Sequence, residues 1–138
     1  MTAAVLPEGA GEARVLLEAR GLSAAFGGLR ALDAVDLRVF DGEIAALIGP
    51  NGAGKTTLFN CLTGLCVPSA GELHLLPADG GRLRLDGQAP SRIAALGIAR
   101  TFQNIRLFPE MTALENVMVG RHARTRAGVL GALLRGPG

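Results

Sequence analysis

Gly49-Pro50-Asn51-Gly52-Ala53-Gly54-Lys55-Thr56-Thr57 fits G-x-x-x-x-G-K-[ST], a phosphate-binding loop set between a strand and a helix. Lys55 is the only lysine of the 138-residue chain, and every other basic residue is an arginine. A slim ammonium fits inside a loop wrapped around phosphate, where a planar, forked guanidinium does not. Gly49, Gly52 and Gly54 let the backbone turn its N–H groups toward an anion, with Asn51 and Ala53 completing the cradle. A helix starting near Lys55 adds the positive end of its dipole. The chemistry expected is nucleotide binding. Lys55 reaches the β- and γ-phosphates, the Thr56 hydroxyl serves Mg²⁺, and Thr57 donates to an α-phosphate. A dinucleotide fingerprint competes poorly, because the glycines are spaced GxxGxG rather than GxGxxG and that motif leaves Lys55 unexplained.

The flanks fit the same context. Ile44-Ala45-Ala46-Leu47-Ile48 is apolar on both faces, as a covered central strand would be. Asp41-Gly42 is expected to turn into it from the half-buried alternating strand Val35–Val39. Thr57 to Leu62 reads as a helix ended by Gly64. Further strands are expected at Val15–Ala19, Glu72–Leu76 and Arg82–Leu85, the last two joined by a longer surface hairpin through Pro77–Gly81. Ser91 can cap a short helix stopping at Gly97, and Thr112-x-x-Glu115 is a capping box for a helix through about Val119. Residues 1–13 read as a flexible tail, and 14–138 as one α/β domain or part of one.

Composition narrows the partners. A net charge of +2, from 14 basic and 12 acidic residues, is too balanced for nucleic acid as the main partner. There is no apolar stretch of membrane-spanning length and no signal-like N-terminus. Cys61 and Cys66 are expected to be free thiols of a cytoplasmic protein. His74 and His122 read as surface residues, and no metal-ligand cluster stands out.

The loop GPNGAGKTT resembles that of the ATP-binding subunits of ABC transporters. The resemblance implies a P-loop ATPase fold with an antiparallel β subdomain, with ATP and Mg²⁺ as cofactors. Phe26, in Ser23-Ala24-Ala25-Phe26-Gly27-Gly28, falls where such proteins stack an aromatic residue on adenine, although they usually carry Tyr there. Arg100-Thr101-Phe102-Gln103 is similar to their glutamine loop, which implies contact of Gln103 with Mg²⁺ and the attacking water. Phe26–Leu32, Gly97–Thr112 and Met118–His122 are similar to ATPases of branched-chain amino acid importers. The partners implied are transmembrane permease subunits, a second ATP-binding subunit and, indirectly, a solute-binding protein. The location implied is the inner face of the cell membrane.

Three family elements are missing from these 138 residues: an LSGGQ-like signature, an Asp-Glu pair after four apolar residues, and a switch histidine. Asp79 follows Leu75-Leu76-Pro77-Ala78, where the proline breaks the strand, Asp86 ends an alternating run, and His122 sits too early. The stretch therefore reads as the N-terminal part of an ATP-binding domain, and these residues alone are expected not to turn over ATP. Two other classes share the loop: a non-catalytic nucleotide-binding module, and a soluble ABC-type ATPase of DNA repair or translation.

Overall fold

Gly27 and Gly28 both take positive φ, 51° and 89°. That geometry closes a two-residue hairpin between β1 (Val15–Phe26) and β2 (Leu29–Phe40). The computed structural model describes residues 14–102 and 107–121. The chain divides into two units, residues 1–100 and 101–138, each treated by itself below.

In the first unit β1 and β2 continue into an antiparallel sheet with β3 (Ala70–Leu75) and β4 (Leu83–Arg84), in the order β2-β1-β3-β4. Two helices accompany it, α1 (Lys55–Leu62) and α2 (Pro90–Ala95). Both hairpin strands are longer than the alternation suggests, because a bulge changes its phase. Ala19 points inward, and after Gly21 (φ 56°) the inward positions become Leu22 and Ala24. Side chains stitch this break. Asp36 Oδ1 accepts from Gly21 N–H at 2.7 Å, and Ser23 Oγ accepts from Ala34 N–H at 2.9 Å. Ala34 itself lies in the left-handed region, φ 46°.

The core joins Leu22, Leu32, Leu73 and Leu85 of the sheet side to Leu58 and Cys61 of α1 and Ile93 of α2. The opposite face carries a charged row running across all four strands, Arg38–Glu18–His74–Arg84. Glu18 is buried and receives Arg38 Nε at 2.9 Å and Arg20 Nη2 at 2.8 Å. His74 is buried too, which corrects its expected place on the surface: it lies in register with Glu18 and Arg84 and has Arg82 3.3 Å from its Nδ1.

Two local expectations also change. Residues 44–48 belong to no strand, and Ile44 and Ile48 are 98% and 87% exposed. Asp41-Gly42 does form a turn, but β2 takes β1 as its ladder partner, and the apolar run has no strand partner among the described residues. Helix α2 starts at Pro90 with Ala89 as its N-cap rather than at Ser91, since a proline at the first helical position needs no N–H partner. The long β3–β4 hairpin through Pro77–Gly81 forms as expected.

In the second unit α3 (Ala113–Arg121) opens on the capping box: Glu115 Oε2 accepts from Thr112 N–H at 2.7 Å, and Thr112 Oγ1 accepts from Glu115 N–H at 3.3 Å. Asn116 pins the preceding turn, accepting from Phe108 N–H at 2.9 Å and donating to Phe108 O and Met111 O. Residues 1–13, Gln103 and His122 lie outside the described residues.

Candidate phosphate-binding site

Two positions of the loop favour glycine, both by their backbone and one also by space. Gly52 and Gly54 hold φ of 82° and 86°, and a Cβ on Gly54 would collide with the backbone oxygen of Ala31. That close approach ties the loop to the start of β2. It also brings the loop to the hairpin end carrying Phe26, whose ring is half exposed at the last position of β1. No sequence signal announces the Gly54–Ala31 approach; it exists only once β2 is placed.

Ala53 N–H donates to Pro50 O at 3.2 Å, closing the turn. The first bond of the α1 ladder runs from Leu58 N–H to Gly54 O at 2.9 Å. The N–H groups of Lys55, Thr56 and Thr57 therefore precede the ladder, and the N-cap Gly54 offers no side-chain acceptor. These donors, together with the dipole of α1, make an anion cradle. Lys55 Nζ donates to Gly49 O at 2.6 Å and to Pro50 O at 2.7 Å, so its ammonium folds back onto the start of the loop. The Asn51 and Thr56 side chains are exposed, and Thr57 is half-buried. Of the residues expected at the site, the structure gathers Asn51 to Thr57 in one loop and helix start.

The far end of α1 is anchored as firmly. Gly64 (φ 73°) ends the helix, with Gly64 N–H donating to Cys61 O at 3.2 Å and Leu65 N–H to Asn60 O at 2.8 Å, the paired bonds of a Schellman motif. Arg100 Nη1 donates to Asn60 Oδ1 at 2.7 Å and lies 3.4 Å from Thr63 Oγ1. A cation thus meets the negative end of the dipole whose positive end faces the loop. Forty residues of separation hid this contact from sequence reasoning. Beside α1, a cavity of about 520 Å³ is walled by Leu58, Leu62, Ala46, Leu47 and Val39.

Asp86 is explained structurally. It accepts from Leu73 N–H at 3.1 Å and pairs with Arg84 at 2.7 Å, so it fastens β3 to β4. Burial works to raise its pKa, and these bonds more than offset that, leaving it below the usual aspartate value.

Residues 32–135 match the family model described as ABC transporter. The chain belongs to the ABC transporter family. Within it the chain is 46% identical over 122 residues to the high-affinity branched-chain amino acid transport ATP-binding protein LivG of Escherichia coli K12, covering 88% of this chain and 46% of LivG. It is 46% identical over 124 residues to the corresponding protein BraF of Pseudomonas aeruginosa, covering 90% of this chain and 47% of BraF. In three dimensions it resembles MJ1267, an ATP-binding cassette of an ABC transporter, with a TM-score of 0.67 at 29% identity over 89% of this chain and 47% of that one. The ABC chain described here spans about half the length of the curated relatives it matches.

Proposed function

We propose that this chain supplies the phosphate-gripping part of an ATP-binding subunit that energises an ABC importer of branched-chain amino acids. The observation that carries the proposal is the loop geometry: a cradle of pre-ladder N–H groups at the head of α1, with Lys55 folded back onto the start of the loop. The similarity to LivG and BraF supports the solute class. In the bound complex Lys55 would trade Gly49 O and Pro50 O for β- and γ-phosphate oxygens. The Thr56 hydroxyl would give Mg²⁺ one protein oxygen, with phosphate and water completing its shell. Phe26 would stack on the adenine, and Gln103 would contact Mg²⁺ and the attacking water. Chemically the reaction is phosphoryl transfer to water, in which positioning and charge stabilisation dominate. The partners are permease subunits and a second ATP-binding subunit, with a solute-binding protein reached through the permease. The place of work is the cytoplasmic face of the membrane.

Equilibrium binding of MgATP to the purified chain tests this. Lys55→Ala should weaken binding by at least about tenfold, the scale of 1.4 kcal/mol. Equal affinity in the two proteins would refute the role of Lys55. These 138 residues contain no Asp-Glu pair to orient water, so binding should occur without turnover. Steady phosphate release that disappears in Lys55→Ala would contradict that.

A further inference from the structure

Two cysteines flank the turn at the far end of the phosphate-loop helix. Cys61 lies in the last turn of α1 and is, with Leu58, one of its two fully buried residues. The Schellman turn folds the chain back on this point, and Cys66 N–H donates to Asn60 O at 3.1 Å, next to Cys61 along the backbone. The half-buried Cys66 side chain packs against the core cluster that includes Cys61, with its Sγ 3.7 Å from Val67 O, and lies close enough to bear on the Cys61 thiol. Both are free. Nothing in phosphate binding uses them.

We propose that Cys61 and Cys66 form a dithiol that closes to an intramolecular disulfide when a small-molecule disulfide such as oxidised glutathione is the oxidant. The accessible Cys66 acts first. Its thiolate attacks one sulfur of the oxidant, the sulfur–sulfur bond breaks, and one glutathione leaves as thiolate and takes a proton from water. Cys61 then loses its proton to water and attacks Cys66 Sγ, expelling the second glutathione. Two protein thiols and one glutathione disulfide become one protein disulfide and two glutathione thiols, so atoms and electrons balance.

The order follows from the surroundings. Burial first, then the neighbouring Cys66, pushes the Cys61 thiol up to about 12, so it is a poor first attacker. The capped sulfur is by then held beside Cys61. The product spans only the turn Leu62-Thr63-Gly64-Leu65, which hydrogen bonds already hold closed. It would fix the second turn of a two-turn helix whose first turn carries the phosphate loop. The step is independent of nucleotide binding and stands or falls separately from it.

The test is intact mass and peptide mapping of the full chain after incubation with oxidised glutathione. The wild type should lose two hydrogens and yield a Cys61–Cys66 linked peptide from monomer. Cys61→Ser should retain one glutathione on Cys66, and Cys66→Ser should keep its starting mass. A wild type that holds glutathione as stably as Cys61→Ser, stays fully reduced, or links only between molecules would overturn the proposal. The wild-type result needs no substitution, so it decides the matter even if a serine variant fails to fold.

Discussion

Leu73 in β3 and Ile48 ahead of the phosphate loop are both apolar residues in non-helical backbone, yet Leu73 is fully buried and Ile48 is 87% exposed. Leu73 sits in a sheet closed by its own residues: the β1–β2 hairpin, the bulge stitched by Asp36 and Ser23, the Asp86 clasp, and the lids of α1 and α2. Ile48 sits in a segment with no strand partner among the described residues, held by the Leu47 side chain packed on the core and by the loop that follows. Apolar character shows that a residue gains by being covered. It does not show that the covering atoms belong to the same hundred residues. The sheet is closed by its own residues and should hold without ligand, whereas the loop and its approach segment should gain order from a bound nucleotide.

The comparison breaks first if Leu73→Ala is tolerated. A fully buried leucine in a closed core should cost about 2–5 kcal/mol, read as an earlier urea midpoint with the slope unchanged. Next in size is Gly54→Ala. Left-handed backbone costs alanine about 1–2 kcal/mol, and the new Cβ would press on Ala31 O. Stability should fall, and MgATP affinity with it, since the strained residue is the N-cap of the phosphate helix.

Acid tests the charged face of the sheet. Burial acts to raise the Glu18 pKa, and the hydrogen bonds and charges of Arg20 and Arg38 more than offset it, so the carboxyl titrates below its ordinary 4.5. Its stabilising contribution is therefore complete above that value and disappears as pH falls through the lower folded value. Thermal melts should drop on that acid limb for the wild type and drop less steeply for Glu18→Gln, which should start lower at neutral pH. Identical acid limbs would remove Glu18 from the account. The smallest effect belongs to Ile48→Ser, expected within about 0.5 kcal/mol of wild type because the side chain has little to lose. A loss on the scale of Leu73→Ala would show that residues 44–48 are packed after all.

Much of this was legible in the sequence because the signals are local. The helix start at Lys55, Gly64 as helix stop, the Thr112–Glu115 box and the β3–β4 hairpin each depend on residues a few positions apart, and each formed as expected. What escaped depends on pairing over distance. The alternation at Val15–Ala19 and Val35–Val39 revealed only parts of two twelve-residue strands, because the bulges near Gly21 and Ala34 re-phase the pattern. His74 looked like a surface residue until Glu18 and Arg84 closed over it in register. The run 44–48 has the composition of a central strand, but a strand also needs a neighbour. At the site, the loop residues could be named in advance. The backbone approach of Ala31 to Gly54 and the Arg100–Asn60 anchor could not, since neither has a motif.

The most direct test of the central claim is amide hydrogen exchange of the whole chain with and without MgATP. A self-sufficient sheet beside a ligand-ordered loop predicts slow exchange in β1 and β3 under both conditions. Residues 44–57 should exchange fast alone and markedly slower with MgATP, an effect absent in Lys55→Ala. Protection of 44–57 equal to that of the sheet before nucleotide is added, or no change on adding it, would contradict the account.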